Sequence, residues 1–250
     1  MNKIETVSEF VPILKLNNRS LNLDFYTNTL GLKVINEENA FADLSDHGSK
    51  AVKLILEESP SMRSRQVKGL KKLAKLVLKA AVPEEVELLL YLGANYQDLY
   101  RGPKGWGFSA LSPEGDLIVL HSEDSISDLM PYDGQPTFKK VTTEFAGLSH
   151  VEVEMISVNT PQSKDSQALF AQLFGTEHPV KFIAAEGEDL QVANNLTWDL
   201  VGIEVQVAKR TDFFAVKDWA ERQTIGVFLD KKDRFLVLTE LNGLEVTLRK

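Results

Sequence analysis

The stretch VPILKLNNRSLNLDFYTNTLGL, Val11 to Leu32, decides how the chain is read. Strand side chains alternate, so Pro12, Leu14 and Leu16 share one face and Val11, Ile13 and Lys15 the other. Asn17 or Asn18 is placed to cap a helix, Leu21, Phe25 and Tyr26 recur at helical spacing, and Gly31 stands where a left-handed C-cap residue belongs. The unit is strand, cap, amphipathic helix, glycine stop. It repeats: an offset of 62 lays Leu14, Leu16, Leu30 and Gly31 on Leu76, Leu78, Leu92 and Gly93, within KLAKLVLKAAVPEEVELLLYLG.

Working outward, Leu32 to Ile35, Phe41 to Leu44 and Lys50 to Glu57 read as strands, with Asp46-His47-Gly48 as the hairpin between the last two. After the second helix, strands are expected at Gln97 to Arg101, Trp106 to Leu111 and Asp116 to His121, the last two joined by Ser112-Pro113-Glu114-Gly115. Each copy is thus βαβββ. Ser122 to Thr143 is polar, carries Pro131, Gly134 and Pro136, and reads as a linker, giving domains at 1–124 and 144–250 around a 125–143 connection. Beyond it, strands at Leu148 to Val158, Val201 to Val207, Thr224 to Leu229, Arg234 to Glu240 and Leu244 to Leu248, with helices at Asp165 to Gly175 and Asp212 to Gln223, outline a looser pair of the same units. The fold class expected is α+β, tandem βαβββ units in two domains.

The 250 residues carry a net charge of −8, which argues against nucleic acid as a partner, because such binding needs a basic footprint. There are no cysteines, so disulfides, thiolate metal sites and a cysteine nucleophile are excluded. Glu5 and Glu9 interrupt the place of a signal-peptide core, and no run reaches the roughly 20 apolar residues of a membrane span, so a cytoplasmic protein with no membrane partner is expected.

The signature Phe25-Tyr26-x-x-x-Leu30-Gly31-Leu32 and the closing hairpin Ser112-Pro113-Glu114-Gly115 resemble the vicinal oxygen chelate, or glyoxalase-like, superfamily, in which paired βαβββ units wrap into a cup. More closely, NNRSLNLDFYTNTLGLKV, LILEESPSMRSRQVKGLKKLAK and SALSPEGDLIVLHSED resemble the CppA family of streptococcal-type bacteria, whose members are named C3-degrading proteinases. The resemblance implies a hydrolase or an accessory factor acting on complement C3, and with it a place at the surface or outside the cell. It supplies no catalytic mechanism.

Superfamily enzymes hold a divalent metal on the first and last strand of each unit. The matching positions here are Val11, Leu73 and Val119, none of which binds metal, and Glu57 alone is not a site. No cofactor is expected in the first half. In the second, His150, Glu152, Glu204 and Glu245 form a candidate divalent site if both strands line one cup, the alternative being the wet side of an antiparallel sheet. Protease patterns are missing: no HExxH, no GxSxG, and Ser149 and His150 fall on opposite strand faces.

Two features remain for binding. His121, on the face of Val119, is expected to form a small polar pocket with Lys15 and Tyr100. Ser59 to Val82 holds Arg63, Arg65, Lys68, Lys71, Lys72, Lys75 and Lys79 without an acidic residue, a focused field for a small anionic ligand or a solvated edge guarded by lysines. A metal-free binding protein using Lys15, Arg63, Arg65, Lys75, Tyr100 and His121 is therefore the alternative to the C3 reading, with a degenerate lyase or dioxygenase third. Trp106, between two glycines, is placed to stack on a ligand or, as the favoured reading, to pack in the core, and Trp198 and Trp219 read as core. Whether the chain is a monomer or a homodimer is left open, since four units allow the cups to be completed within one chain.

Overall fold

The computed structural model describes residues 4, 6–139, 145–239 and 243–250. The first unit is β1 (Val7–Leu16), α1 (Arg19–Asp24) running on as a π-helical turn over Phe25–Thr29, then β2 (Lys33–Glu38), β3 (Phe41–Ser45) and β4 (Leu54–Glu58). Asn18 is the cap, its side chain accepting the Leu21 N–H at 3.1 Å. Gly31 sits at φ 65°, and a Cβ there would lie 3.0 Å from Leu89 and 3.2 Å from the Leu148 backbone, so the stop needs glycine for conformation and for space. The second unit is β5 (Leu73–Ala80), α2 (Pro83–Tyr91), β6 (Asp98–Arg101), β7 (Trp106–Leu111) and β8 (Leu117–His121).

The stretch expected to be a plain linker carries structure. Ser125 caps a 3-10 turn over Ile126–Asp128, and β9 (Met130–Pro131) joins the edge of β6. Tyr132 and Phe138 then meet the Trp106 ring edge-on at 4.9 and 5.4 Å, an aromatic anchor worth about 1 kcal/mol per pair beyond burial. The end of this stretch, 140–143, lies outside the described residues.

The third unit has β10 (Val151–Thr160), α3 (Ser163–Phe174) and β11 (Val180–Ala184), and then 185–199, which adds no strand to the sheet. The fourth is β12 (Leu200–Val207), α4 (Phe213–Arg222), β13 (Gly226–Leu229), β14 (Phe235–Thr239) and β15 (Glu245–Arg249). In units one, two and four the last strand lies parallel to the first, as β1 with β4, β5 with β8 and β12 with β15.

Sheet membership does not follow sequence order. One sheet runs β13-β14-β15-β12-β1-β4-β3-β2 and the other β11-β10-β5-β8-β7-β6-β9. Unit one joins unit four through antiparallel β1 and β12, and unit two joins unit three through antiparallel β5 and β10. The stretches 1–124 and 144–250 each contribute to both sheets. The reason is patterning: Leu14, Leu16, Leu76 and Leu78 belong to one continuous core with Ile203, Val205, Val151 and Ile156, so apolar faces from both halves bury one another.

The two sheets are tied at Asp199. Its buried carboxylate accepts the N–H groups of Lys72 at 2.6 Å, Leu73 at 3.0 Å and Leu200 at 2.8 Å, while its carbonyl accepts the Lys15 N–H at 2.9 Å. Replacing Asp199 by alanine leaves three buried donors unmet; urea unfolding of Asp199→Ala is expected to show a loss of about 2–4 kcal/mol. Asp199→Asn, which keeps an acceptor oxygen, is expected to lose less.

Candidate functional site

The concave face of the first sheet is set by strand alternation: Glu9, Val11, Ile13 and Lys15 on β1, Glu57 on β4, Glu204 and Gln206 on β12, Thr247 and Arg249 on β15. Val11, the first-strand ligand position that the resemblance implies, lies opposite Glu204. Each carboxylate here has its own cation: Lys53 to Glu9 at 2.7 Å, Lys15 to Glu57 at 2.9 Å, Arg249 to Glu204 at 2.8 Å. A divalent ion does not fit this donor set, because it would have to displace three protein cations and would gain apolar Val11.

The second sheet carries His121, completely buried, beside Lys79 on β5. Its Nδ1 accepts the Glu123 N–H at 3.1 Å, which leaves the ring proton on Nε2, and Nε2 donates to a Glu154 carboxylate oxygen. Both nitrogens are spent. His121 therefore positions Glu154 and has none left for a serine or a ligand.

The structure does not bring the expected pocket together. Lys15 lies in the first sheet and His121 in the second, because units one and two part company. Tyr100 stands two strands from His121, across Gly107, and borders a separate cleft with Asp98 and Tyr132. Lys75 faces the second cup opposite Ser157, half-buried and without a polar side-chain partner among the described residues.

Nor does the basic stretch face outward as one field. Arg65 grips Asp189 with two bonds of 2.6 and 2.7 Å, Lys71 pairs with Asp116 at 2.8 Å, and Lys72 donates to Val192 O at 2.9 Å and Asn194 Oδ1 at 2.8 Å. Arg63 alone of the predicted arginines is exposed in a turn with no side-chain partner among the described residues. The stretch is a clasp on 185–199, and its missing acidic residues are supplied from the other half of the chain.

The candidate metal set in the second half is likewise separated. His150 is 63% exposed and 3.7 Å from Asp46, Glu152 follows it on β10, and Glu204 and Glu245 belong to the other sheet. Among the described residues no group of three or more His, Asp or Glu side chains is arranged to hold a metal.

One cavity, of about 540 Å³, was not foreseen. It lies where the start of β1 meets β10 and the α3–β11 turn, lined among others by Ser8, Glu9, Glu152, Glu154, Glu177 and His178. Ser8 and Glu154 are both bulged residues, lying at the pairing shifts between Val7 and Glu9 and between Val153 and Met155. A bulge re-aims a side chain, and that of Glu154 puts its carboxylate within reach of both His121 and the cavity. Burial, helped by Lys181, holds the His178 imidazole below its ordinary range. The only sequence signal was two glutamates in an apolar strand, VEVEM, which alternation alone assigns to a wet face.

Comparison with known proteins places these features in a family. Residues 10–131 match the CppA N-terminal family and residues 148–248 the CppA C-terminal family. The chain belongs to the CppA family. The crystal structure of cppA protein from Streptococcus pneumoniae TIGR4 is 34% identical over 97% of this chain and 98% of that one, with a TM-score of 0.86. Glyoxalase I from Zea mays is 8% identical over 98% of this chain and 92% of that one, with a TM-score of 0.61, which shows the glyoxalase fold in this CppA-family chain. No curated protein matches it. No helix among the described residues is long and apolar enough to cross a membrane.

The clasp has an acid signature. Chiefly through its bonds to Arg65, the Asp189 carboxyl is held down at about 2, against ~3.9 for a free aspartate. A depressed carboxyl adds stability that is complete above pH ~4 and disappears as pH falls through about 2. Arg65→Ala is expected to flatten this part of the stability–pH curve, measured by thermal unfolding from pH 5 to pH 2 in steps, and to leave the slope above it unchanged.

Proposed function

We propose that this CppA-family protein is a metal-free binding protein on the glyoxalase fold, and that the cavity between β1 and β10 receives a small ligand with a protonated amine and an apolar body. The observation that carries this reading is the lining of that cavity, in which the carboxylates of Glu9, Glu152, Glu154 and Glu177 stand against one lysine, Lys181. Glu9 is neutralised by Lys53 and Glu154 is held by His121, whereas Glu152 and Glu177 have no ion-pair partner among the described residues. Val7, Val153 and Pro179 offer the apolar contacts, so the site combines a hydrophobic body with a few placed charges, as ligand pockets do. A ligand of this class reverses the anionic one expected from Arg63, Arg65, Lys75 and His121, since Arg65 and His121 spend their polar groups inside the protein.

Spermidine serves as the probe. Isothermal titration at low salt is expected to show binding to the intact protein that weakens about tenfold in Glu152→Gln/Glu177→Gln, a loss of ~1.4 kcal/mol. Equal binding by both proteins, or none by either, overturns the reading.

Action on complement C3 fits the same proposal as an accessory role, in which the bound protein exposes C3 to another protease. A proteinase would need a nucleophile beside a free base, and both ring nitrogens of His121 are engaged inside the protein. Purified protein incubated with C3 is expected to leave it intact on gels and by mass spectrometry. Discrete fragments missing from a mock purification would establish the proteinase instead.

A further inference from the structure

The third unit stops short, and its open edge has a specific shape. Beyond the strand parallel to the first, every other unit has an antiparallel neighbour: β3 on β4, β7 on β8, β14 on β15. In the third unit the parallel strand is β11, and β11 ends its sheet. The chain cannot supply the missing strand from 185–199, because that segment is held elsewhere by the Arg65–Asp189 pair, the bridge of Arg65 to Thr197, and Asp199.

The direction of the free groups follows from the ladder. Ile156 N–H donates to Pro179 O at 2.9 Å and Ala185 N–H to Thr160 O at 3.1 Å, so odd-numbered residues of β11 turn their backbone groups toward β10. Phe182 and Ala184 turn theirs outward, and no described strand meets them. Ile183 is 44% exposed on this edge, Lys181 and Ala184 are exposed too, and an uncovered edge strand invites pairing. Beside it, Ala168 and Ala171 of α3 and the Phe182 ring border an open groove of about 470 Å³.

From this we infer that β11 is the dimerisation edge of the protein, pairing antiparallel with β11 of a second copy about a twofold axis at Phe182. A twofold contact uses one patch on both subunits, and this patch is self-complementary. With Phe182 on the axis, Phe182 and its symmetry mate exchange both N–H···O bonds, and Ala184 faces Val180 across the pair. Lys181 stands opposite Ile183 of the other copy, so no like charges meet. The small side chains of α3 leave room for the second Phe182 ring on the same face.

Sedimentation equilibrium over a range of protein concentrations is expected to show a monomer–dimer equilibrium. Ala184→Pro removes an outward N–H and leaves the β10 ladder whole, and it is expected to abolish the dimer with thermal stability unchanged. Ile183→Lys sets a lysine against Lys181 of the other copy and is expected to weaken the dimer, and adding Lys181→Glu to it is expected to restore association. A monomer at all concentrations, including the case where this edge instead takes a peptide from another protein, overturns the inference. So does a dimer indifferent to Ile183→Lys.

Discussion

The architecture turns on one carboxylate. Asp199 stands just before β12 and collects N–H groups from the start of β5, so the first strand of the fourth unit and that of the second are fixed relative to each other. Burial raises its carboxyl above the ordinary range, partly offset by Lys71 and by those N–H donors. Because the sheets are built from units one with four and two with three, this is a joint between the sheets as well as between distant parts of the chain. The Arg65–Asp189 clasp and the Lys72 bonds to Val192 and Asn194 extend the joint along 185–199.

Electrostatics then decides what the cups can do. In the first cup, the carboxylates of Glu9, Glu57 and Glu204 share a face with Val11, yet Lys53, Lys15 and Arg249 compensate them. A carboxylate with a cation at hydrogen-bond distance on a partly buried face has little to offer a metal, which would have to break that pair first. In the second cup, the one buried histidine spends one nitrogen on the backbone and the other on Glu154. Negative charge left without a cation, on Glu152 and Glu177, borders the cavity at the bulged β1 and β10.

Much of this was legible residue by residue. An asparagine cap at 17 or 18, Gly31 and Gly93 as left-handed stops and Trp106 to Leu111 as a strand all follow from local chemistry, and the structure chooses Asn18 as the cap and places the others so. Ser122 to Thr143 was misleading because two residues, Met130 and Pro131, suffice to extend a sheet edge, and Tyr132 and Phe138 find Trp106 only after folding. The cation-rich stretch misled for a similar reason: the partners of Arg65 and Lys72 lie more than a hundred positions away in sequence.

The sequence alone determined the unit, its repetition, the alternation that gives each strand one buried face, and the family the chain resembles, because these depend on backbone conformation and on neighbours a few residues apart. Tertiary structure decided which units share a sheet, which charges neutralise one another, and where a cavity opens. Those outcomes depend on pairings between distant strands, and strand alternation says which way a side chain faces but not what it meets.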